Sequence, residues 1–221
     1  MTLPNKPTPD VVYFNIYRNQ LKIVLGFSEG EGSRSGMLRE LLVGLCVAKD
    51  QYILLTKVGN GYSDDERKSL LKKLANKKVD SDYIEVSRSN LAFTMVVPEE
   101  VIEFSCLDVF GENSKGTISK MCLNYKDESY SAVGKQPTVS VIAPVFVKFR
   151  TDKKATSEDA GLLQINKIFP LAKSDDKQSD LKKSEIISRE VYVKESKGMK
   201  MVRKFMVWKT NKEQSGEYPS Y

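Results

Sequence analysis

Short apolar runs separated by polar turns fill the first two thirds of the chain, and their period is that of strands rather than helices. Residues 11–17 and 21–27 form two β-rich runs joined by Arg18-Asn19-Gln20. In the second run Leu21, Ile23 and Leu25 alternate with Lys22 and Val24, as on a half-buried strand. Residues 28–36 carry glycines and both signs of charge, which predicts a surface loop. Residues 41–47 and 52–58 then predict a hairpin turning at Lys49-Asp50. One helix interrupts this pattern. Ser63 can cap it, Glu66 completes a capping box, Leu70, Leu71 and Leu74 share a face, and Lys72 and Lys73 sit near its C-terminal end. Strand patterns resume over residues 91–97, 101–109, 118–123 and 139–149. The expectation is a mainly β protein, a small closed or partly closed barrel with one or two helices.

Beyond Arg150 the pattern changes. Residues 153–159 are charged, 161–169 suit a short helix, and 172–184 are polar and of low complexity, as in a linker. Residues 190–194 and 201–208 read as two further strands around Lys197-Gly198. The expected organisation is a barrel domain over residues 1–170, a linker over 171–188 and a C-terminal β extension over 189–221. In that extension Lys194, Lys197, Lys200, Arg203, Lys204, Lys209 and Lys212 interleave with Tyr192, Phe205 and Trp208. Such a pattern suits either a packed ribbon or a surface that stacks bases.

Composition narrows the chemistry. The 221 residues carry a net charge of +6 and a pI near 9.0, which favours polyanionic partners without proving one. Histidine is absent, which removes Ser-His and Cys-His catalysis and the usual zinc-hydrolase sites. The three cysteines, Cys46, Cys106 and Cys122, lie far apart inside apolar runs and read as reduced core residues. No apolar stretch is long enough to span a bilayer and the N-terminus has no hydrophobic signal core, so the expectation is a soluble intracellular protein without a membrane partner.

Four segments carry finer information. Leu21 to Gly26 leads into Gly30-Glu31-Gly32-Ser33-Arg34-Ser35-Gly36. Lys57-Val58-Gly59-Asn60-Gly61-Tyr62-Ser63-Asp64 opens the helix. Met95-Val96-Val97-Pro98-Glu99-Glu100-Val101-Ile102-Glu103-Phe104 joins two strands. Finally, residues 139–149 run into Arg150-Thr151-Asp152-Lys153-Lys154. In order and spacing these segments resemble the C-terminal oligonucleotide-binding (OB) domain of ATP-dependent DNA ligases, over residues 11–169. There they look like a Gly-x-Gly-Lys-Arg-x-Gly loop, a Lys-hydrophobic-Gly-Thr-Gly-Phe-Ser/Thr-Asp turn, a Val-x-Glu strand after a proline, and a terminal Arg-x-Asp-Lys. Ser33 stands where the loop has lysine, and Ile142 and Val145 stand where the last strand has arginines.

The resemblance implies an OB barrel in which Arg150 and Lys153 orient the triphosphate of ATP and its pyrophosphate leaving group. It implies contacts from Arg34, Lys22, Lys57 and Lys148 to a DNA backbone, and a hinge at or just before residues 18–20. The implied partners are nicked double-stranded DNA and a nucleotidyltransferase domain in cis or in trans, with ATP and Mg2+ as cofactors of the complete enzyme. No Lys-x-Asp-Gly nucleophile occurs in the chain, so it is expected to be unable to form a lysyl-adenylate alone. A stand-alone nucleic-acid-binding module, or the OB domain of an RNA ligase or mRNA capping enzyme, remains open at this point. Within the segments themselves, Gly59 and Gly61 are expected at positive φ, and Glu103 is expected to be a barrel-closing polar residue.

Overall fold

The computed structural model describes residues 17–87, 90–114, 116–162, 164, 190–195 and 198–203, with side chains between Leu21 and Gln164. In chain order the elements are β1 (Tyr17–Glu29), a 3-10 turn (Gly32–Arg34), β2 (Leu38–Ala48), β3 (Gln51–Val58), α1 (Asp64–Ala75), and the two-residue β4 (Asp80–Ser81) and β5 (Thr94–Met95). They are followed by β6 (Val101–Cys106), β7 (Asp108–Phe110), β8 (Glu112–Asn113), β9 (Gly116–Thr117), β10 (Ser119–Lys126) and β11 (Ser129–Pro137). The last are β12 (Ser140–Ile142), β13 (Val145–Phe149), α2 (Ser157–Ala160), β14 (Glu190–Glu195) and β15 (Gly198–Arg203).

The barrel is built from β1, β2, β3, β6 and β13. β1 pairs antiparallel with both β2 and β6, β3 follows β2, and β13 lies antiparallel on the far side of β6. Closure comes where the chain leaving β3 meets β13 in a parallel bridge between Asn60 and Val145, with the Phe146 amide donating to the Asn60 carbonyl at 2.9 Å. A five-stranded barrel with its helix between the third and fourth strands is the expected OB fold. Residues 107–142 are inserted before the last barrel strand. Their hairpin, β10 and β11, docks on the first half of β3 through Cys122–Ile53 and Leu123–Tyr52 pairing and so extends the sheet.

This insertion changes how the strands are buried. Val24, Leu41, Val43, Leu45, Ile53 and Leu55 point into the barrel with Leu70 and Leu74 of α1, while Ile23, Leu25, Leu42, Tyr52 and Leu54 pack outward against Phe93, Met95, Met121, Leu123 and Tyr130. The central strands are therefore covered on both faces. Lys22 and Val24, expected on the solvent face of a half-buried strand, are both fully buried. β1 also runs unbroken from Tyr17, so residues 18–20 lie inside a strand paired with β6 instead of forming a turn. Residues 11–16 lie outside the described residues.

The turns follow the local sequence. Asp50, at φ 55, closes the β2–β3 hairpin. Ser63 caps α1 as expected: its hydroxyl accepts from the Glu66 amide, and the Glu66 carboxylate accepts from the Ser63 amide at 2.7 Å. Gly61 sits at φ +94, and a Cβ there would lie 2.3 Å from the Phe146 carbonyl oxygen, so only glycine fits where the barrel closes. Gly59, the other expected positive-φ position, has no such conformation. The expected strand over residues 139–149 is broken by Ala143-Pro144 into β12 and β13, with Ala143 at φ 46. β14 and β15 form an antiparallel hairpin in which β15 starts at Gly198, three residues before the expected strand. The low-complexity stretch, residues 172–184, lies outside the described residues.

Candidate functional site

β13 leaves the barrel at Phe149 and delivers Arg150 beside the start of β6, where the Arg150 amide donates to the Val101 carbonyl at 2.8 Å. The guanidinium then has two kinds of neighbour. On one edge Nη1 donates to Glu103 Oε2 at 3.1 Å, and the Glu103 side chain is only 8% exposed. On the other edge Nε and Nη2 donate to the two oxygens of Asp152 at 2.8 and 2.6 Å. Asp152 is 60% exposed, and it occupies the forked donor pair of Arg150 with the geometry in which arginine also grips phosphate oxygens. This fork holds the Asp152 carboxyl at a pKa of about 2 and pushes Arg150 above its ordinary value. Lys148 reaches Glu103 at 3.9 Å from the neighbouring strand position. Glu103, Lys148, Phe149, Arg150 and Asp152 together line an open depression of about 490 Å³.

Lys153 is positioned by a different element. The chain turns after Arg150, with the Lys153 amide donating to the Arg150 carbonyl at 3.1 Å, and then enters α2, capped by Thr156. Asp159 of α2 reaches back, accepting from Lys153 Nζ at 2.9 Å and from the Lys154 amide at 3.0 Å. Those contacts hold the Asp159 carboxyl below its ordinary pKa, the Lys153 ammonium first and the Lys154 amide second. Both expected ATP-orienting cations are thus partly exposed and each is paired to a carboxylate.

The four expected DNA contacts are not brought together. Arg34 lies exposed in the 3-10 turn at the tip of the β1–β2 loop. Lys148 is 61% exposed beside Arg150. Lys57 lines a groove of about 670 Å³ between β3 and the inserted hairpin, shared with Glu40, Tyr83, Glu85, Lys120 and Lys135. There its ammonium contacts Glu85 at 2.6 Å and the Val86 carbonyl at 2.5 Å, and it lies 5.4 Å from the centre of the Phe93 ring. Lys22 is removed from any backbone contact: it is fully buried, donating to the Leu21 carbonyl at 3.0 Å and to Gln164 Oε1 at 3.4 Å. Burial lowers its pKa to about 7, with nearby Cys106 acting in the opposite direction. An arrangement of this kind was not visible in the alternation of β1, which placed Lys22 among solvent-facing residues.

Sequence reasoning missed Lys120 and Lys135, which come from a hairpin whose second strand is too polar to read as one. Burial lowers the pKa of Lys120. It also missed Asp159, whose only sequence signal is a Thr-x-x-Asp cap. Glu103 was visible as a lone charge in an apolar strand but not as the partner of Arg150. Among the described residues there is no group of three or more His, Cys, Asp or Glu able to hold a metal ion, and no helix long and apolar enough to cross a membrane.

The barrel and its basic terminal segment define an OB-fold domain of the kind the motifs resemble. The family described as "ATP dependent DNA ligase C terminal region" matches residues 34–153, more than half of the chain, and the chain belongs to that family. No curated protein matches the chain. Among solved structures, the ligase domain from M. tuberculosis LigD is 21% identical with a TM-score of 0.44, over 66% of this chain and 38% of that one. The mycobacterial DNA ligase D complexed with ATP and MES is 20% identical with a TM-score of 0.42, over 67% of this chain and 38% of that one. The chain thus corresponds to well under half the length of either.

Proposed function

We propose that this domain acts twice in the sealing of nicked duplex DNA: once on ATP during enzyme adenylation, and once on the DNA backbone. The observation that carries the reading is the pair Arg150 and Lys153, both partly exposed, Arg150 lining the open depression at the end of the last barrel strand and Lys153 in the turn just after it, within the segment matched by the family. A nucleotidyltransferase domain, in the same polypeptide or a separate one, would supply the nucleophilic lysine that this chain's motifs lack. Arg150 would exchange the exposed Asp152 for phosphate oxygens, and Lys153 would add a second positive charge. Both then stabilise the charge that builds on the departing pyrophosphate. The residues present fit a polyphosphate, because they are cationic and partly exposed, and the forked edge of Arg150 is filled only by the exposed Asp152. The Mg2+ of the complete enzyme is assigned to the nucleotidyltransferase domain.

For DNA, we assign backbone contacts to Arg34 at the loop tip and to the groove lysines Lys57, Lys120 and Lys135, and none to Lys22. Lys148 belongs with Arg150. Residues 1–170 form the ligase domain in this reading, 171–188 a linker and 189–221 an extension, and the protein works inside the cell. The test joins this chain to its nucleotidyltransferase domain and follows adenylation with ATP and Mg2+, then sealing of a 5′-phosphorylated nick. Arg150→Ala should slow adenylation by roughly 100-fold, the scale of losing one oriented charge-stabilising donor. Adenylation and sealing that proceed at the original rate in Arg150→Ala, or when this chain is left out, would show a binding module without a part in the chemistry.

A further inference from the structure

Each of the two cations assigned to the triphosphate is held from a place outside the Arg150–Lys153 segment. Glu103 lies three residues into β6, in the middle of the barrel wall, with its side chain 8% exposed and its Oε2 3.1 Å from Arg150 Nη1. It is flanked by buried Ile102 and Phe104, and its backbone is fixed on both sides, against Leu21 of β1 and Lys148 of β13. A carboxylate so placed holds the guanidinium at Nη1, away from the Nε–Nη2 edge that Asp152 occupies. Asp159 plays the same part for Lys153 from α2, and it also ties down the loop by accepting from the Lys154 amide.

An arginine side chain left to itself samples many rotamers, and ordering it costs free energy that is charged against every contact it makes in the transition state. Here that ordering is done in advance. Glu103 engages Nη1 alone, so the Nε–Nη2 edge, the one that grips oxygens in pairs, stays turned outward. The exposed Asp152 now fills that edge and can leave it; Glu103, closed in by the barrel, cannot.

We propose that Glu103 and Asp159 are positioning residues for adenylation, Glu103 fixing the direction of Arg150 and Asp159 that of Lys153. The proposal rests on the assignment of Arg150 and Lys153 to the triphosphate. It separates these two carboxylates from Asp152, which shares the same arginine but from the solvent side.

The test uses the enzyme assembled from this chain and its nucleotidyltransferase domain, with Glu103→Gln, Asp159→Asn, Arg150→Ala and the double variant Glu103→Gln/Arg150→Ala. Glutamine keeps the shape of the buried side chain and removes the charge. Adenylation and the sealing of a nick already carrying the 5′-adenylate are measured separately. Glu103→Gln should lower kcat for adenylation by about tenfold, the scale of a modest misalignment, with the KM for ATP little changed. Sealing of the pre-adenylated nick should be unaffected, and Glu103→Gln should cost nothing more once Arg150 is alanine. Asp159→Asn should show the same split through Lys153. If Arg150→Ala slows adenylation while Glu103→Gln does not, or the two losses multiply in the double variant, the positioning role is refuted and the function stands. If both steps fall together with the melting temperature, Glu103 is only structural and the proposal fails. If Arg150→Ala leaves adenylation untouched, the proposal fails together with the function it rests on.

Discussion

Arg67 offers the sharpest test of how the helix is fixed to the barrel. It lies in the first turn of α1, is 8% exposed, and spreads its guanidinium over three backbone carbonyls: Leu38 at 2.8 Å and Arg39 at 3.0 Å from Nη1, and Gly59 at 2.6 Å from Nη2. Its guanidinium carbon also lies 5.0 Å from the centre of the Tyr62 ring, which in turn stacks on Phe146 of β13. One side chain therefore joins α1, the start of β2 and the turn where β3 and β13 close the barrel. Arg67→Met keeps most of the apolar stem and removes every donor. Each hydrogen bond from a charged donor contributes about 1.5–3 kcal/mol, but partial relaxation and water entry return some of it, so the loss should be about 3–5 kcal/mol. Stability in urea is the assay. With an m-value of about 2.5 kcal/mol/M the midpoint should fall by roughly 1.5 M at unchanged slope. Lys68→Met is the neighbouring control: Lys68 is 56% exposed and pairs with Asp65 at 3.6 Å, so its loss should stay within about 0.5 kcal/mol. An Arg67→Met midpoint no lower than that of Lys68→Met would refute the account of the three carbonyls.

Lys22 should make stability depend on pH. Its pKa is about 7 in the fold against 10.5 when unfolded, so between these values the unfolded chain binds more protons and stability rises with pH; below about pH 7 both states are charged and the full burial penalty is present. That gain should be about 2 kcal/mol between pH 7 and 9, and Lys22→Met should abolish it while raising stability at pH 7; equal pH dependence of the two proteins in urea would contradict the burial. Gly61→Ala should cost about 3 kcal/mol or more, since φ is +94 and the new Cβ meets Phe146, whereas Gly32→Ala, at φ +58 with nothing within 4 Å, should cost about 1 kcal/mol. Melting temperatures compare the two directly, and equal losses would remove the contact with Phe146 as the cause.

What could be read from the chain alone was whatever neighbours in sequence decide. The Ser63–Glu66 capping box, the Asp50 turn and the β2–β3 hairpin depend on residues a few positions apart, and all appear as expected. The OB class followed from the spacing of several such local signals, and so did the family, because the glycine-rich turn and the Arg-x-Asp-Lys end are each written in consecutive residues. Facts that depend on what packs against a strand were not legible. Alternation in β1 announced one buried face, but Ile23 and Leu25 pack outward against the segment around Phe93 while Val24 points into the barrel, and Lys22, on the face of Val24 and over the Phe104 ring, is inside the protein. β11 escaped notice because its alternating residues are mostly small or polar and gain a buried face only by pairing with β10.

The candidate site divides along the same line. Sequence supplied Arg150 and Lys153, because a basic strand end is a local pattern. It singled out Glu103, 47 positions earlier in the chain, but could not show that it pairs with Arg150 or that Asp159 reaches back to Lys153, because a charge partner is fixed by strand pairing and chain turns rather than by proximity along the chain. Which lysines face a groove and which are sealed in the core was likewise decided only when the barrel closed, since burial is a property of the assembled surfaces and not of the strand that carries the residue.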